Sequence, residues 1–463
     1  MTSVLQSQNV LFTARYLIGM AHDPLRRMRR MGLQSPSATV MPMGPGQRAH
    51  RLLYLTGGEN AGPVFADPAT FNSSNIPLRS GGGGAQSRLR RGLIGARGAE
   101  HQHYRHAFIM QTARGMMEEF SAGVASHVDA WTRGLPEDEP VDLVTMINDL
   151  VRYYSVVMMF KDENPEQALR IGREITEWVE LGYQASNVLL PFNVPGLPHA
   201  RYKRSAEALE ARILEWADAR RGMDAKRDIL SMFVNGPDEN GEPLSRDRLT
   251  GHILTIYAAS FTSSVSSLIW ALFLLMQHPG IAHDLCDEID GSGIDPVSEG
   301  MKLLELPLLD RVLKESMRLF TPVPYQVRRV TRDATVAGAG LKAKDIVVVG
   351  AWATNRLASV YSGAEKFRPD RWIETDSNTL DYLTFSAGPR RCVGYQLAMI
   401  MVKITLASIL SKRRPNLLPD TRIDTKVAVT LRSKQPILVM MGNRDTKIAR
   451  SPVRGTVTNH YDP

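Results

Sequence analysis

Cysteine is nearly absent: this chain of 463 residues carries two, Cys286 and Cys392. A pair so far apart, without dense and even spacing, excludes a secreted disulfide scaffold and points to a reducing cytoplasm. No Gly-Lys-Ser/Thr follows a glycine run, so the four consecutive glycines at 81–84 do not make a phosphate-binding loop. No Gly-x-Gly-x-x-Gly follows a strand pattern, which leaves out a built-in flavin or nicotinamide site of the dinucleotide-binding type. The stretch Met1 to Met20 has neither a continuous apolar run of about 20 residues nor a basic-apolar-small pattern, so no export signal or membrane anchor is expected. The net charge of +8 suits acidic partners. The basic residues are dispersed, however, and form no zinc-finger or RNA-binding signature, so nucleic acid is not expected.

What remains is ordinary globular material. With 43% hydrophobic and 22% charged residues, a large core is available; length alone favours two or three domains. Asp23 to Met31 reads as a short basic helix, and Thr39 to Gly46 and His50 to Leu55 as strands. Ser80 to Gly98, with Arg88, Arg90, Arg91 and Arg97, reads as a mobile loop. From Glu100 to Leu319 apolar residues recur at three- and four-residue spacing, broken at Pro191 to Pro198 and Asn235 to Pro243. Leu254 to Met276 is long and apolar, but it carries Ser260, Thr262, Ser263, Ser264, Ser266 and Ser267 and is flanked by charged helical stretches. It reads as a helix buried in a large core and not as a membrane span. Beyond Pro322, Gln326 to Val336, Asp345 to Val349, Val427 to Leu431 and Pro436 to Met440 predict a small β region. The polar tail 444–463 is expected to be loose.

The most informative stretch is Phe385-Ser-Ala-Gly-Pro-Arg-Arg-Cys-Val-Gly394, just before a helical run from Tyr395. A lone cysteine is ordinarily a small inert hydrophobe. Here cationic neighbours, a helix start and backbone N–H groups freed by glycine turns all favour a thiolate, and such a sulfur can ligate iron. Phe385, Gly388, Arg390, Cys392 and Gly394 match Phe-x-x-Gly-x-Arg-x-Cys-x-Gly at every fixed position. The segment thus resembles the haem-binding signature of the cytochrome P-450 family. The resemblance runs from about Asp23 to Met441. It implies a mainly α fold with a small β subdomain, one large helical domain over 1–443 around a buried haem b, and a flexible tail at 444–463.

Further segments line up with the same family. Leu313-Lys-Glu-Ser-Met-Arg318 followed by Phe367-Arg-Pro-Asp-Arg-Trp372 resembles its Glu-x-x-Arg and Phe-x-Pro-x-Arg arrangement, which implies a buried network of Glu315, Arg318 and Arg371 bracing the Cys392 loop. His101 and Arg105, one helical turn apart, with Arg328 and Arg390, match the family's haem-propionate contacts; paired Arg donors suit a carboxylate. His103 and His106 read as surface residues. Ala258-Ala-Ser-Phe-Thr-Ser263 lines up with the segment over the distal haem face. Small Ala258 and Ala259 would leave room for oxygen, and Thr262 would bond O2 or hold water. Phe261 stands where most members carry Asp or Glu for proton relay, and phenylalanine shuttles no protons. Met401, where a glutamate is common, is a milder departure.

The resemblance implies a cytoplasmic, monomeric monooxygenase of secondary metabolism. It would take O2 and a lipophilic small molecule, with electrons from a separate ferredoxin or flavodoxin. Phe261 keeps open a peroxide-using or redox-neutral haem-thiolate enzyme, such as a peroxygenase, dehydratase or rearrangement catalyst. A haem-binding sensor without turnover is the third reading. The substrate pocket is expected to draw on the loop around Ser80 to Ile94, Tyr183 to Pro198, Ala258, Phe261, Val323 to Tyr325 and Leu431 to Ser433.

Overall fold

The structure is a computed structural model that describes residues 5–6, 23–34, 38–42, 51–73, 84–112, 114–137, 139–161, 164–184, 187, 193–225, 228–375 and 379–462. The expected glycine run at 81–83 and most of the 185–192 segment lie outside these residues. The main helices are α1 (Gly98–Gln111), α2 (Arg114–Arg133), α3 (Pro165–Gly182), α4 (Pro198–Asp218), α5 (Arg246–Gln277), α6 (Pro307–Leu319) and α7 (Tyr395–Leu410). The fold is mainly α with small sheets, as the sequence led us to expect.

One large domain over 1–443 is the expectation from the sequence. By packing, the chain groups into two compact units, the first made of 1–71, 118–149 and 263–463, the second of 72–117 and 150–262. Each unit is assembled from separated segments, so no linear change of composition marks the division.

The first unit contains nearly all of a six-stranded sheet. Its strands are β1 (Leu5–Gln6), β2 (Ala38–Pro42), β3 (Arg51–Leu55), β4 (Phe71–Ser73), β5 (Gln326–Val330) and β6 (Ile346–Val349), in the order β1-β2-β3-β6-β5-β4. Leu52 of β3 faces Ile346 in a parallel pair, and Gln326 of β5 faces Val349 in an antiparallel one. Leu53, Leu55, Val330, Val347 and Val349 pack with Phe65 and Leu383 into one apolar cluster. Through it the sheet is fixed beside the residues that lead into the cysteine loop. In α7 every residue from Met399 to Leu410 is buried, the mark of a helix enclosed on all sides. The most apolar window of α5 is 83% buried, as a core helix requires.

Two local expectations fail. Val427 to Leu431 is not one strand: Thr425–Val427 and Leu431–Ser433 form an antiparallel hairpin, with the Ala428 N–H donating to the Thr430 carbonyl in the turn between them. A three-residue turn of Ala, Val and Thr carries no Gly or Pro to announce it. Nor is the tail 444–463 loose as described. Val453–Arg454 pairs with Thr421–Arg422, and Ile448, Val457, His460 and Tyr461 are buried. A few apolar and aromatic side chains, spaced too irregularly for a helix or strand pattern, anchor it.

Candidate active site

The loop around Cys392 is built by two tight turns and a helix start. Leu383–Phe385 forms one turn and Gly388–Arg390 another. At Gly388 φ is +68°, and a Cβ there would come within 2.6 Å of the Phe65 carbonyl oxygen; only glycine fits. The Cys392 N–H donates to the Phe385 carbonyl at 2.9 Å, which folds the loop back on itself. The rings of Phe385 and Tyr395 close it edge to face at 4.7 Å. Gly394 caps the N-terminus of α7, so the N–H groups of the first turn follow directly after the sulfur and favour a thiolate. Cys392 is exposed, whereas Cys286 is buried and its thiol is pushed up to about 11 by burial. A Cβ on Gly394 would meet no atom of the described residues within 4 Å apart from its chain neighbours. Beside this sulfur, therefore, the chain leaves a space that its own atoms do not claim.

Behind the loop stands the expected ion network. Glu315, fully buried, accepts from Arg318 at 2.9 Å through both carboxylate oxygens, from Arg371 Nε at 2.8 Å and from Trp372 Nε1 at 3.1 Å. Arg318 also donates to the carbonyls of Asn355 and Ala364 at 2.9 and 2.8 Å. Asn355 passes the order on: its side chain accepts from the Leu383 N–H at 2.8 Å and donates to Thr384 Oγ1 at 3.1 Å. The network thus reaches the first residues of the cysteine loop.

Arg328, on β5, is in a different state. It is 6% exposed and donates to the Val327 carbonyl at 3.2 Å and to Gln326 Oε1 at 3.5 Å, both neutral oxygens. No carboxylate among the described residues pairs with it. Burial, and then the charge of nearby Arg390, bring Arg328 down to about 10. A buried cation with a half-buried one nearby fits an anionic group, and a carboxylate matches their donors. The exposed thiol, the open space at Gly394 and this cationic pair fit an iron porphyrin with carboxylate arms.

In the second unit, α1 carries His101 and Arg105 one turn apart, His101 buried and Arg105 half-buried. Glu100, just before them, pairs with Arg248 at 3.0 Å and lies 3.8 Å from His252 Nε2. His252 is wholly buried, with its ring 4.3 Å from that of Tyr104 and 5.1 Å from that of Phe233, and burial lowers its pKa. His103 donates from Nε2 to the Pro237 carbonyl at 2.9 Å, and His106 is exposed.

Along α5, Ala259 is exposed and Ala258, Ser260 and Ser263 are half-exposed in a stretch, Leu249 to Gln277, that is otherwise buried. Thr262, 2% exposed, donates its hydroxyl to the Ala258 carbonyl one turn back at 2.7 Å. Phe261 does not join the open positions. It is fully buried, stacked on Tyr257 at 5.6 Å, with the Arg152 guanidinium 5.2 Å above its ring. The side chain packs between helices, because Phe261 lies one full turn after Tyr257 on the same face of α5.

Trp372, Asn355 and His252 are the residues that sequence reading missed. Trp372 had a signal, standing next to Arg371 in its motif. Asn355 and His252 had none, since their roles come from contacts far along the chain.

A model of the family described as Cytochrome P450 matches residues 50–440. A protein named putative cytochrome P450 139, from Mycobacterium bovis, is 25% identical over 390 residues, 79% of this chain and 86% of that protein. Pentalenene oxygenase from Streptomyces avermitilis is 26% identical over 334 residues, 69% of this chain and 73% of its own length. Among solved structures, retinoic acid-bound cyanobacterial CYP120A1 superposes with a TM-score of 0.80 over 92% of this chain and 96% of that one, at 18% identity, a likeness of fold. With a family match over most of its length, the chain belongs to the cytochrome P450 family.

Proposed function

We propose that this cytochrome P450 monooxygenase binds haem b through Cys392 and inserts one oxygen atom of O2 into a lipophilic small molecule. The observation that carries the reading is the exposed Cys392 thiol held on a glycine-turned loop ahead of α7. When bound, haem supplies reductive activation of O2 at its iron. The residues of the chain do the rest. The Cys392 sulfur, kept as thiolate by the N-terminus of α7, donates electron density. Arg328 and Arg390, with His101 and Arg105, would hold the propionates, as the family resemblance implies, and Phe385, Gly388 and Gly394 would let the backbone lie close to a flat ring. Ala258 and Ala259 would leave room for O2 and substrate, and the Thr262 hydroxyl, which donates to the Ala258 carbonyl, would exchange that partner for a water or a polar substrate group.

Two electrons and two protons balance the reaction, one oxygen atom entering substrate and the other leaving as water. The electrons come from a separate ferredoxin or flavodoxin drawn to the basic side of the cysteine loop. The enzyme acts in the cytoplasm, in secondary metabolism, and pentalenene oxygenase among its relatives supports a terpenoid-like substrate. The test is the ferrous carbonyl spectrum of purified protein: a red-shifted Soret band that Cys392→Ser abolishes and Cys286→Ser leaves intact. A band unaffected by Cys392→Ser overturns the reading.

One observation favours a second reading. Phe261, packed against Tyr257 and Arg152, offers no proton where an acid is usual, which supports a peroxide-using or redox-neutral reaction. Turnover with hydrogen peroxide and none with an electron-transfer system would select it.

A further inference from the structure

Val453 to Asp462 lies beyond residue 440, where the family match stops. The segment is nevertheless pinned at three places in the first unit. Val453–Arg454 adds a parallel strand to Thr421–Arg422. Tyr461, 5% exposed, gives its hydroxyl hydrogen to Oε1 of Gln277, the last residue of α5, at 3.1 Å, and sets its ring 5.4 Å from Phe273. Asp462 bridges to Lys366 as a short parallel pairing, its N–H donating to the Glu365 carbonyl at 2.8 Å.

The third contact reaches the ion network. The carbonyls on either side of Glu365, those of Ala364 and Lys366, accept from Arg318 at 2.8 and 3.2 Å, and Lys366 accepts from Arg371 as well, at 3.4 Å. Carbonyls hold an arginine in place only while their own backbone is fixed, and Asp462 adds a tie at Glu365, between them, to the Lys366 N–H bond to the Gly363 carbonyl at 2.9 Å. Nearby, the buried Arg356 binds Glu365 Oε2 at 3.1 Å and the His460 carbonyl at 3.0 Å, and also donates to the Arg318 and Leu319 carbonyls. From Arg318 the connection runs through Asn355 to Leu383 and Thr384, and from Phe385 to the Cys392 N–H.

We propose that Val453–Asp462 is a strap whose residues Tyr461 and Asp462 position the Cys392 loop, acting through the backbone at 362–366. Partners that orient a metal ligand from outside its contact sphere typically change affinity or activity by about 10- to 100-fold when lost. A strap tied at Glu365 acts one step further out, so its effect falls at the low end of that range. The proposal rests on Cys392 being the haem ligand, and the test keeps the two apart.

The experiment uses full-length, haem-loaded protein and three variants. Asp462→Pro removes the N–H that Glu365 accepts, Asp462→Ala keeps it, and Tyr461→Phe deletes only the hydroxyl bonded to Gln277. Hydrogen exchange is followed in the peptide covering residues 382–394, and the ferrous carbonyl band is followed against urea alongside far-UV circular dichroism. Asp462→Pro is expected to exchange about tenfold faster in that peptide. It is also expected to lose the red-shifted band at a urea concentration where helix content is intact. Tyr461→Phe should do the same to a smaller degree, and Asp462→Ala should follow the parent. Equal exchange in all four proteins, with band and helix content lost together, overturns the strap; should Asp462→Pro fail to fold, Tyr461→Phe decides by the same measures. A parent protein without the red-shifted band refutes the Cys392 assignment, while the exchange data still decide the strap.

Discussion

Two groups of buried arginines in the first unit differ in where their counter-charge comes from. Arg318 and Arg371, 0% and 2% exposed, share the Glu315 carboxylate and a ring of carbonyls. Arg328 is almost as buried, yet its hydrogen bonds go to neutral oxygens and its charged neighbour is another arginine. A buried cation without a carboxylate is expensive in the protein alone. The first group is complete within the chain and therefore scaffolds. The second has no compensating carboxylate among the described residues, which is what the proposed haem carboxylate would supply. Burial alone does not separate structural charge from binding charge; the ownership of the compensating charge does.

Removing the shared carboxylate should break the first group most severely. Glu315→Ala strands two buried guanidiniums and Trp372 Nε1 together, and losing one partner of a buried pair costs about 3–5 kcal/mol. Urea denaturation should show that loss in haem-free and haem-loaded protein alike, since the network does not depend on the ligand. A loss confined to the loaded form would move Glu315 into the second group.

His460 is a third way to meet the same cost, by carrying no charge. It is 1% exposed and bonded through Nε2 to Thr425 Oγ1 at 3.2 Å. Burial first, then the charge of Arg356, lowers it to about 4, with Arg29 adding to the fall and Asp23 opposing it. The folded value lies below the ordinary 6.5. Its contribution to stability is therefore whole above pH 6.5 and is lost as pH falls from there through 4. That loss should be on the order of 2 kcal/mol by pH 5, seen as a falling urea midpoint. His460→Gln should have a flatter profile over this window; a parallel profile would mean that burial does not lower the titration of the ring.

The residues that the sequence made legible are those whose partners are near in the chain or recur in fixed order. The cysteine loop is one run of ten residues, and Glu315, Arg318 and Arg371 stand in motifs of set spacing. Long amphipathic and apolar periods gave α5, α6 and α7 their places. Arg356, Asn355 and Asp462 could not be read, because each acts through contacts with residues in other elements. The hairpin at 425–433 was misread as a single strand since its turn lacks Gly and Pro. Phe261 was placed by alignment with a motif, and alignment fixes a position on the helix but not which neighbours, here Tyr257 and Arg152, take the side chain.

Arg328→Leu tests the comparison in both directions with the smallest change in stability. In haem-free protein the substitution removes a buried cation that neighbours Arg390 and has no carboxylate partner among the described residues. Replacing buried charge with an apolar side chain of similar reach is often stabilising, and here about 1 kcal/mol is expected. In loaded protein the same substitution removes donors to the ligand's carboxylate, so haem should dissociate several-fold faster, measured by transfer to an excess of apomyoglobin. The two signs must be opposite. If Arg328→Leu destabilises the haem-free protein as Glu315→Ala does, then Arg328 is held by the chain itself, and the distinction between the two groups of arginines disappears.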